Sequence, residues 1–271
     1  MPLRRIGGDE EGTDMARDER LLVVVAHPDD ETFGCGSLLA HARAVGVPTF
    51  VACATRGEAG SPTPGRGLDD ADMAEVRAAE LHAAAELLGV ERVVLFDWAD
   101  SDMEGEPAAG TLCAAPLDDV ADRIAEVIDE IRPTVVVTLD ASDGHRDHAH
   151  VRDATVMAAS RPGSPVERVY LQCLAQTLMR RWVELLAADQ PDSAHLELGD
   201  LGTPEDLITT YLDTAEHLEL RDRAMGLHRS QTPPYDVMPA DLRRDFLATD
   251  RLRRVIPPWT GGEPERRLFA G

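Results

Sequence analysis

Short, unbroken apolar runs rich in β-branched residues recur along this 271-residue chain and constrain its fold more than any other sequence feature. Such runs are typical of strands that are covered on both faces, as in a parallel sheet. The clearest is the run Leu21–Ala26, which we predict to be a central strand. The predicted strands are residues 21–26, 49–54, 92–96, 134–139 and 166–173.

The segments between these runs have the periodicity of amphipathic helices. In one of them, Ala74, Ala78 and Leu81 lie at steps of three and four on one face. Strands that alternate with helices form βαβ units, so we expect an α/β, Rossmann-like fold, a mostly parallel sheet with helices on both faces. The predicted helices are residues 36–45, 70–88, 117–131, 148–159, 174–187 and 204–228.

The length of the chain suits one large hydrophobic core. We expect residues 20–271 to form a single α/β domain, in which the proline-rich residues 233–271 are an extended C-terminal segment wrapped on the rest. Residues 1–19 are polar and charged, so they predict a disordered N-terminal arm and lack the apolar core of a signal peptide.

The strongly acidic composition restricts the partners. Fifty acidic residues against 27 basic ones give a formal charge of −23, which repels nucleic acid and anionic membranes. No apolar run approaches the roughly 18 residues of a membrane span. The four cysteines are scattered, as is typical of reduced thiols. We therefore expect a cytoplasmic protein that binds a small molecule, and neither nucleic acid nor membrane; the oligomeric state stays open.

Ionisable residues follow the first predicted strand directly, in the motif His27-Pro28-Asp29-Asp30-Glu31. In open parallel sheets, ligands bind outside the carboxyl ends of the strands, so this turn is well placed for a functional site. Asp and Pro are also common in solvated turns. That alternative does not explain a histidine placed immediately after a buried strand.

A second ionisable cluster, residues 143–150, follows the predicted strand at 134–139 and contains three histidines. Both clusters therefore reach the same edge of the sheet, which predicts a metal site. Catalytic zinc takes three ligands from His and carboxylate side chains and leaves a place for water. His27, Asp30 and His148 supply such a set. Asp29 could then serve as general base and His145 as its acid partner.

The two motifs resemble those of a known family. His27-Pro28-Asp29-Asp30-Glu31 with Gly34-x-Gly36, and later His145-x-Asp147-His148, resemble the PIG-L/LmbE-like zinc-dependent de-N-acetylases. That family includes the N-acetylglucosaminyl-phosphatidylinositol deacetylases and the bacterial mycothiol-type branch. The resemblance covers about residues 20–160, and its fold agrees with the α/β, Rossmann-like prediction.

The resemblance implies a role for each matching residue. Asp29 is the general base, His145 the acid or oxyanion stabiliser, and Asp147 orients His145. The implied zinc ligands are His27, Asp30 and His148, and the implied substrate contacts are Glu58, Arg77 and Asp100. The chain departs from some mycothiol-type relatives, since residues 140–144 lack a tyrosine and Asp102 stands where glycine is usual.

Some residues keep two interpretations. Arg77 either binds a substrate anion or pairs with Glu80 or Asp97. His228 either approaches the site or is an ordinary histidine of a turn.

The predicted function is a metal-dependent hydrolase that uses a zinc-activated water to remove an acetyl or other acyl group from an N-acetylglucosamine-containing or related amino-sugar substrate. An alternative is an amidase acting on a thiol conjugate or an antibiotic glycoside. Because the same ligands accept Fe²⁺, zinc (Zn²⁺) is not the only metal possible. A more remote alternative is a non-haem iron oxygenase, although those sites typically lie on all-β scaffolds.

Overall fold

The structure is a computed structural model that describes residues 19–60, 62–65, 72–103, 105–189 and 200–269. Within these ranges, seven strands form one sheet. They are β1 (Leu21–Val25), β2 (Thr49–Thr55), β3 (Arg92–Trp98), β4 (Val135–Leu139), β5 (Arg168–Gln172), β6 (Thr210–Asp213) and β7 (Thr249–Ile256). The arm predicted at residues 1–19 lies outside the described residues except for Glu19.

The strand order is β3-β2-β1-β4-β5-β7-β6. Strands β1 to β5 are parallel, and β7 runs antiparallel between β5 and β6. The helices are α1 (Asp30–Phe33), α2 (Gly36–Ala44), α3 (Met73–Leu88), α4 (Leu117–Ile131), α5 (Arg146–Ala159), α6 (Gln176–Asp189), α7 (Leu218–Met225) and α8 (Ala240–Leu247). The predicted α/β fold with a mostly parallel sheet is confirmed.

The two faces of β1 explain its unbroken apolar sequence. Leu21, Val23 and Val25 pack in one core together with residues of α2 and α3. The alternate residues Leu22 and Val24 pack in a second core together with α4 and α5. All five side chains of the strand are fully buried. Helices therefore cover both faces of the sheet, as the sequence predicts.

The helix ends follow local chemistry. Asp72 begins α3, because its carboxylate accepts hydrogen bonds from the backbone N–H groups of Ala74 at 3.1 Å and Glu75 at 3.4 Å. Gly89 ends that helix with φ 79°, a left-handed conformation that glycine adopts without strain. The two caps fix both ends of α3, and the chain continues from Gly89 into β3.

The long helix predicted at residues 204–228 is wrong. The segment forms a short 3-10 helix at Glu205–Leu207, then β6, and only then α7. Thr209, Thr210 and Tyr211 are β-branched or aromatic and favour a strand. Pairing of Thr210 with Leu252 of β7 fixes them in the sheet, so tertiary pairing overrides the helical periodicity.

The C-terminal segment also differs from the expectation of an extended strap. It contains α8 and β7, and β7 lies inside the sheet with Leu252 fully buried. That residues 20–271 form a single domain stays a prediction, supported by this shared sheet. No described helix is long and apolar enough to cross a bilayer. All four cysteines are free thiols, in agreement with the sequence.

Candidate active site

The candidate site lies where the strand order reverses. Strand β2 follows β1 on one side, whereas β4 lies on the other, so a crevice opens at the carboxyl ends of β1 and β4. The first ionisable cluster connects β1 to α1. The second connects β4 to α5 and includes His145, the residue that caps α5. The two clusters thus meet, as predicted, at one edge of the sheet.

The carboxylate of Asp30 lies between two imidazoles. Its Oδ2 is 3.5 Å from His27 Nδ1, and its Oδ1 is 3.4 Å from His148 Nε2. The ring centroids of the two histidines are 5.3 Å apart. All three side chains are largely buried, with exposed fractions of 7, 13 and 10% for His27, Asp30 and His148. The structure therefore brings together the three predicted metal ligands.

The opposite nitrogen of each imidazole is held by a second carboxylate. Asp147 Oδ2 lies 3.2 Å from His27 Nε2, and Asp143 Oδ2 lies 2.7 Å from His148 Nδ1. Such pairs fix the tautomer of a metal-binding histidine and leave its other nitrogen free as a ligand. His148 Nε2 is buried and has no hydrogen-bond partner among the described residues. The donor set therefore fits a divalent cation.

Among the described residues, three groupings offer ligand atoms within 4.8 Å of one another, and none of them includes Asp30. One lies outside this site, at His41, Glu216 and His217, and the two at this site are His27, His145 and His148, or His27, Asp100 and Asp147. The second is disfavoured because Asp147 already accepts bonds from the Ser101 N–H and the Cys113 thiol, each at 3.0 Å. The first grouping is disfavoured because it leaves out Asp30, whose two carboxylate oxygens already face the free nitrogens of His27 and His148. We therefore retain Asp30 as the third predicted ligand.

Asp29 is held in a strained conformation beside the ligands. Its φ of 128° is rare for a residue other than glycine, and such strain persists only where the surroundings enforce it. Its N–H donates to Glu31 Oε2 at 2.9 Å, and its Oδ2 lies 3.0 Å from Arg77 Nη2. Burial raises the pKa of Asp29 to about 6, although the charge of Arg77 opposes this. A carboxylate with a pKa near neutrality suits a general base.

Arg77 is buried, with 3% of its surface exposed, and its guanidinium is bound within the protein. It donates to the carbonyl oxygens of Pro28 and Gly57, each at 2.6 Å, in addition to its contact with Asp29. The expected partners Glu80 and Asp97 instead contact Ser230 and Arg56, respectively. Arg77 therefore positions the turn that carries Asp29, and its contact with substrate stays a prediction.

We expect Arg77→Met to lower the free energy of unfolding by about 3 kcal/mol, because it leaves the buried carboxylate of Asp29 and two carbonyls without their donor. Urea unfolding followed by circular dichroism measures this. The matched control is Arg56→Met, since the Arg56–Asp97 pair is exposed, at 40 and 91%, and such pairs contribute little. Equal effects of the two substitutions would contradict the positioning role.

His145 is arranged as a neutral hydrogen-bond donor. Its Nδ1 accepts the backbone N–H of Asp147 at 3.2 Å, which assigns the proton to Nε2. Burial, together with the charges of His27 and His148, lowers the pKa of His145 to about 4, so the ring is uncharged at neutral pH. Its centroid lies 4.6 Å from those of both other histidines. The Nε2–H can therefore donate to an oxygen near the ligands.

The role predicted for Asp147 needs a correction. Its carboxylate contacts His27 and not His145, which it holds only through its backbone N–H. The reason is geometric: His145 caps α5, so its ring faces the backbone N–H of Asp147, while the Asp147 carboxylate faces His27, which follows β1. Asp147 is thus a positioning residue for His27.

The two remaining predicted contacts lie on the His27 side of the site. The Asp100 carboxylate has 6% of its surface exposed and lies 3.7 Å from His27 Nε2. Glu58 is exposed, and its Oε1 accepts the Asp100 N–H at 3.3 Å. Together they form a polar rim next to the candidate metal ligands.

The sequence assigned no definite role to two supports of the site. Asp143 belongs to the second cluster but received no role, although it orients His148. His228 Nε2 lies 2.6 Å from Glu31 Oε1, and both side chains are fully buried. Because Glu31 also accepts the Asp29 N–H, this pair braces the turn from 197 residues away. Of the two interpretations of His228, the structure therefore supports the one in which it approaches the site, although the sequence did not indicate Glu31 as its partner.

A doubly wound α/β sheet with paired imidazoles and a carboxylate at its switch point is the framework of a metal-dependent enzyme. Residues 22–159 match the model of the GlcNAc-PI de-N-acetylase family, PIG-L. The chain belongs to this family.

Two named relatives agree with this assignment. The 1D-myo-inositol 2-acetamido-2-deoxy-alpha-D-glucopyranoside deacetylase of Geodermatophilus obscurus is 31% identical, over 95% of this chain and 99% of that protein. The deacetylase of the same name from Mycolicibacterium gilvum is 36% identical, over 78% of this chain and 80% of that protein.

Among solved structures, GalB, the 4-carboxy-2-hydroxymuconate hydratase of Pseudomonas putida, is similar with a TM-score of 0.60. It is 20% identical, over 90% of this chain and 99% of that one. This likeness supports the fold alone, because one fold hosts different chemistries.

Proposed function

We propose that this chain is a metal-dependent amide hydrolase that removes the N-acyl group of an amino sugar such as an N-acetylglucosaminide. The observation that carries the proposal is the pair of carboxylate-held imidazoles directed at Asp30, with the strained Asp29 beside them. The two relatives described above, each named for deacetylation of a 2-acetamido-glucopyranoside, support the choice of substrate class.

His27, Asp30 and His148 would hold the metal, which we propose to be zinc, with Fe²⁺ as the alternative that the same ligands accept. When bound there, zinc supplies a Lewis acid that polarises the acyl carbonyl and lowers the pKa of water. The roles of Asp143 and Asp147 are to fix the tautomers of the two imidazoles and to keep the rings aligned for this purpose.

The chemical steps fall to Asp29 and His145. Asp29 takes the proton of the attacking water while the hydroxyl group adds to the acyl carbon. The His145 Nε2–H donates to the oxyanion that develops on the former carbonyl oxygen. The C–N bond then breaks, and the Asp29 carboxyl, with its pKa of about 6, can return the proton to the leaving amine. The products are a free amine and a carboxylate.

The polar rim formed by Glu58 and Asp100 faces the same region as His27. Carboxylates accept hydrogen bonds from hydroxyl groups, so we propose that these two residues bind the sugar. The oxygenase alternative is disfavoured, because this site lies on a mostly parallel α/β sheet and not on an all-β scaffold.

The test is a hydrolysis screen of N-acetylglucosaminyl compounds with the metal-depleted chain, to which zinc or Fe²⁺ is added back. We expect no amine release without metal and restored release with zinc, measured by a fluorogenic amine label. An amidase specific for thiol conjugates or antibiotic glycosides would instead leave simple N-acetylglucosaminides intact and cleave those compounds. Activity that needs oxygen and a reductant would overturn the proposal.

A further inference from the structure

A cavity of about 240 Å³ adjoins the candidate metal ligands. Asp30, Asp143 and His148 form its polar end, and Gln172 is a further polar group in its wall. The rest of the wall is apolar. It includes Phe33, Leu139, Leu174, Met179, Trp182 and Phe246. A molecule that fills this cavity therefore has one end at the reacting centre and its remainder against apolar side chains.

Of the polar groups near the apolar wall, one is bound within the protein and another has a single long internal contact. Tyr235 also lines the cavity, but its hydroxyl donates to the Phe33 carbonyl at 2.9 Å, so its ring offers an apolar face. Gln172 Nε2 lies 3.5 Å from the Cys173 carbonyl. Sugar hydroxyls placed here would lose their hydrogen bonds to water without replacement, which is costly.

The polar and apolar parts of the site lie on different sides of the ligands. Asp100 adjoins His27 and is hydrogen-bonded to Glu58, whereas the cavity is lined by Asp30 and His148 and by none of those three residues. An N-acyl amino sugar has the same division, since its hydroxylated ring and its acyl chain leave the amide in opposite directions. With the sugar on the polar rim, the acyl group enters the cavity.

The cavity is larger than an acetyl group requires. An engineered apolar cavity of about 150 Å³ is enough to hold benzene, a ligand with six carbons. A methyl group would leave most of the 240 Å³ unfilled. Moreover, much of the apolar wall comes from α6, α8 and the segment between β6 and β7, all outside the family match at residues 22–159. Much of the apolar wall is therefore built by residues that lie beyond the family match.

We infer that this cavity is an acyl subsite and that the chain prefers N-acyl amino sugars whose acyl group is apolar and has about six carbons. This inference rests on the proposed function for the hydrolytic step, but the binding step stands apart from it. The reaction is balanced by water alone: hydroxyl joins the acyl carbon, the C–N bond breaks, and a proton goes to the amine.

The kinetic test compares N-hexanoylglucosamine with N-acetylglucosamine, using the full chain loaded with zinc. Burying one methylene group favours binding roughly threefold to fourfold, so four additional methylenes should raise kcat/KM by at least about tenfold even when burial is incomplete. A kcat/KM for the hexanoyl compound equal to or below that for the acetyl compound would overturn the inference.

A substitution in the wall adds a second measurement. Met238 lines the cavity and is half-buried, so Met238→Trp should fill the space and reduce the hexanoyl preference to less than about threefold, with an unchanged circular dichroism spectrum as proof of folding. The matched control is Val237→Trp, because Val237 is 65% exposed and does not line the cavity. Equal loss of preference in both variants would contradict a subsite at Met238.

A binding measurement separates this inference from the proposed function. Titration calorimetry of the chelator-treated full chain should show N-hexanoylglucosamine binding at least about tenfold more tightly than N-acetylglucosamine, and Met238→Trp should abolish the difference. Tighter binding without hydrolysis in the presence of zinc would overturn the proposed function and keep the acyl subsite. Hydrolysis of both compounds with equal affinity would keep the function and overturn the subsite.

Discussion

Asp29→Asn is expected to lower kcat by about 10³-fold while leaving metal affinity unchanged, because an amide cannot take the proton of the attacking water. The asparagine keeps the size of the side chain and can still contact Arg77, so the strained turn should persist. Steady-state kinetics and a zinc titration, performed on the same preparation, measure the two effects separately.

The control for this prediction is Asp97→Asn, since Asp97 lies near the carboxyl end of the edge strand β3 and its side chain is 91% exposed. It should change neither quantity. Asp29→Asn with full activity would disprove the general-base role. Loss of zinc together with activity would show instead that Asp29 belongs to the ligand set.

His148→Ala is expected to weaken zinc binding by more than about 100-fold, which exceeds the effect typical of a residue that only orients a ligand. Activity should fall with metal content and return only partly at high zinc concentration. Competition with a chromophoric chelator measures the affinity. Two other substitutions serve as comparisons. Asp143→Asn should weaken binding by about 10-fold to 100-fold. His150→Ala should have no effect, because His150 lies in α5 but belongs to none of the candidate ligand groupings.

The same titration distinguishes the candidate ligand sets. With Asp30 as third ligand, Asp30→Ala loses metal and His145→Ala keeps it, although His145→Ala loses turnover because the oxyanion donor is absent. The reverse result would establish the three-histidine grouping. Loss of metal in Asp100→Asn, with Asp30→Ala unaffected, would establish the set of His27, Asp100 and Asp147.

Local patterns predicted the parallel strands well, because burial on both faces leaves a run of apolar residues that is readable in one dimension. They failed at residues 204–228, where helical spacing competed with β-branched residues and the pairing with β7 decided the outcome. The expectation of an extended segment at residues 233–271 differs from the structure for a related reason. The prolines of this segment lie outside α8 and β7, so they limit the length of these two elements but do not prevent them from forming.

The candidate ligands were predictable because each cluster directly follows a strand and parallel strands share one carboxyl edge. The partners of those ligands were not. The contact of Asp147 with His27 depends on how α5 begins, and the contact of Arg77 with Asp29 depends on the packing of α3 against the turn. The spacing of residues along the chain reveals neither how α5 begins nor how α3 packs.

The sequence by itself determined the class of fold, the two motifs and the edge of the sheet at which they meet, since all of these follow from local periodicity and chain order. Only the tertiary structure decided that β7 enters the sheet, that His228 holds Glu31, and that an apolar cavity adjoins Asp30 and His148. The physical reason is that hydrophobic periodicity reports which face of an element is buried, whereas the identity of a distant partner depends on how whole elements pack.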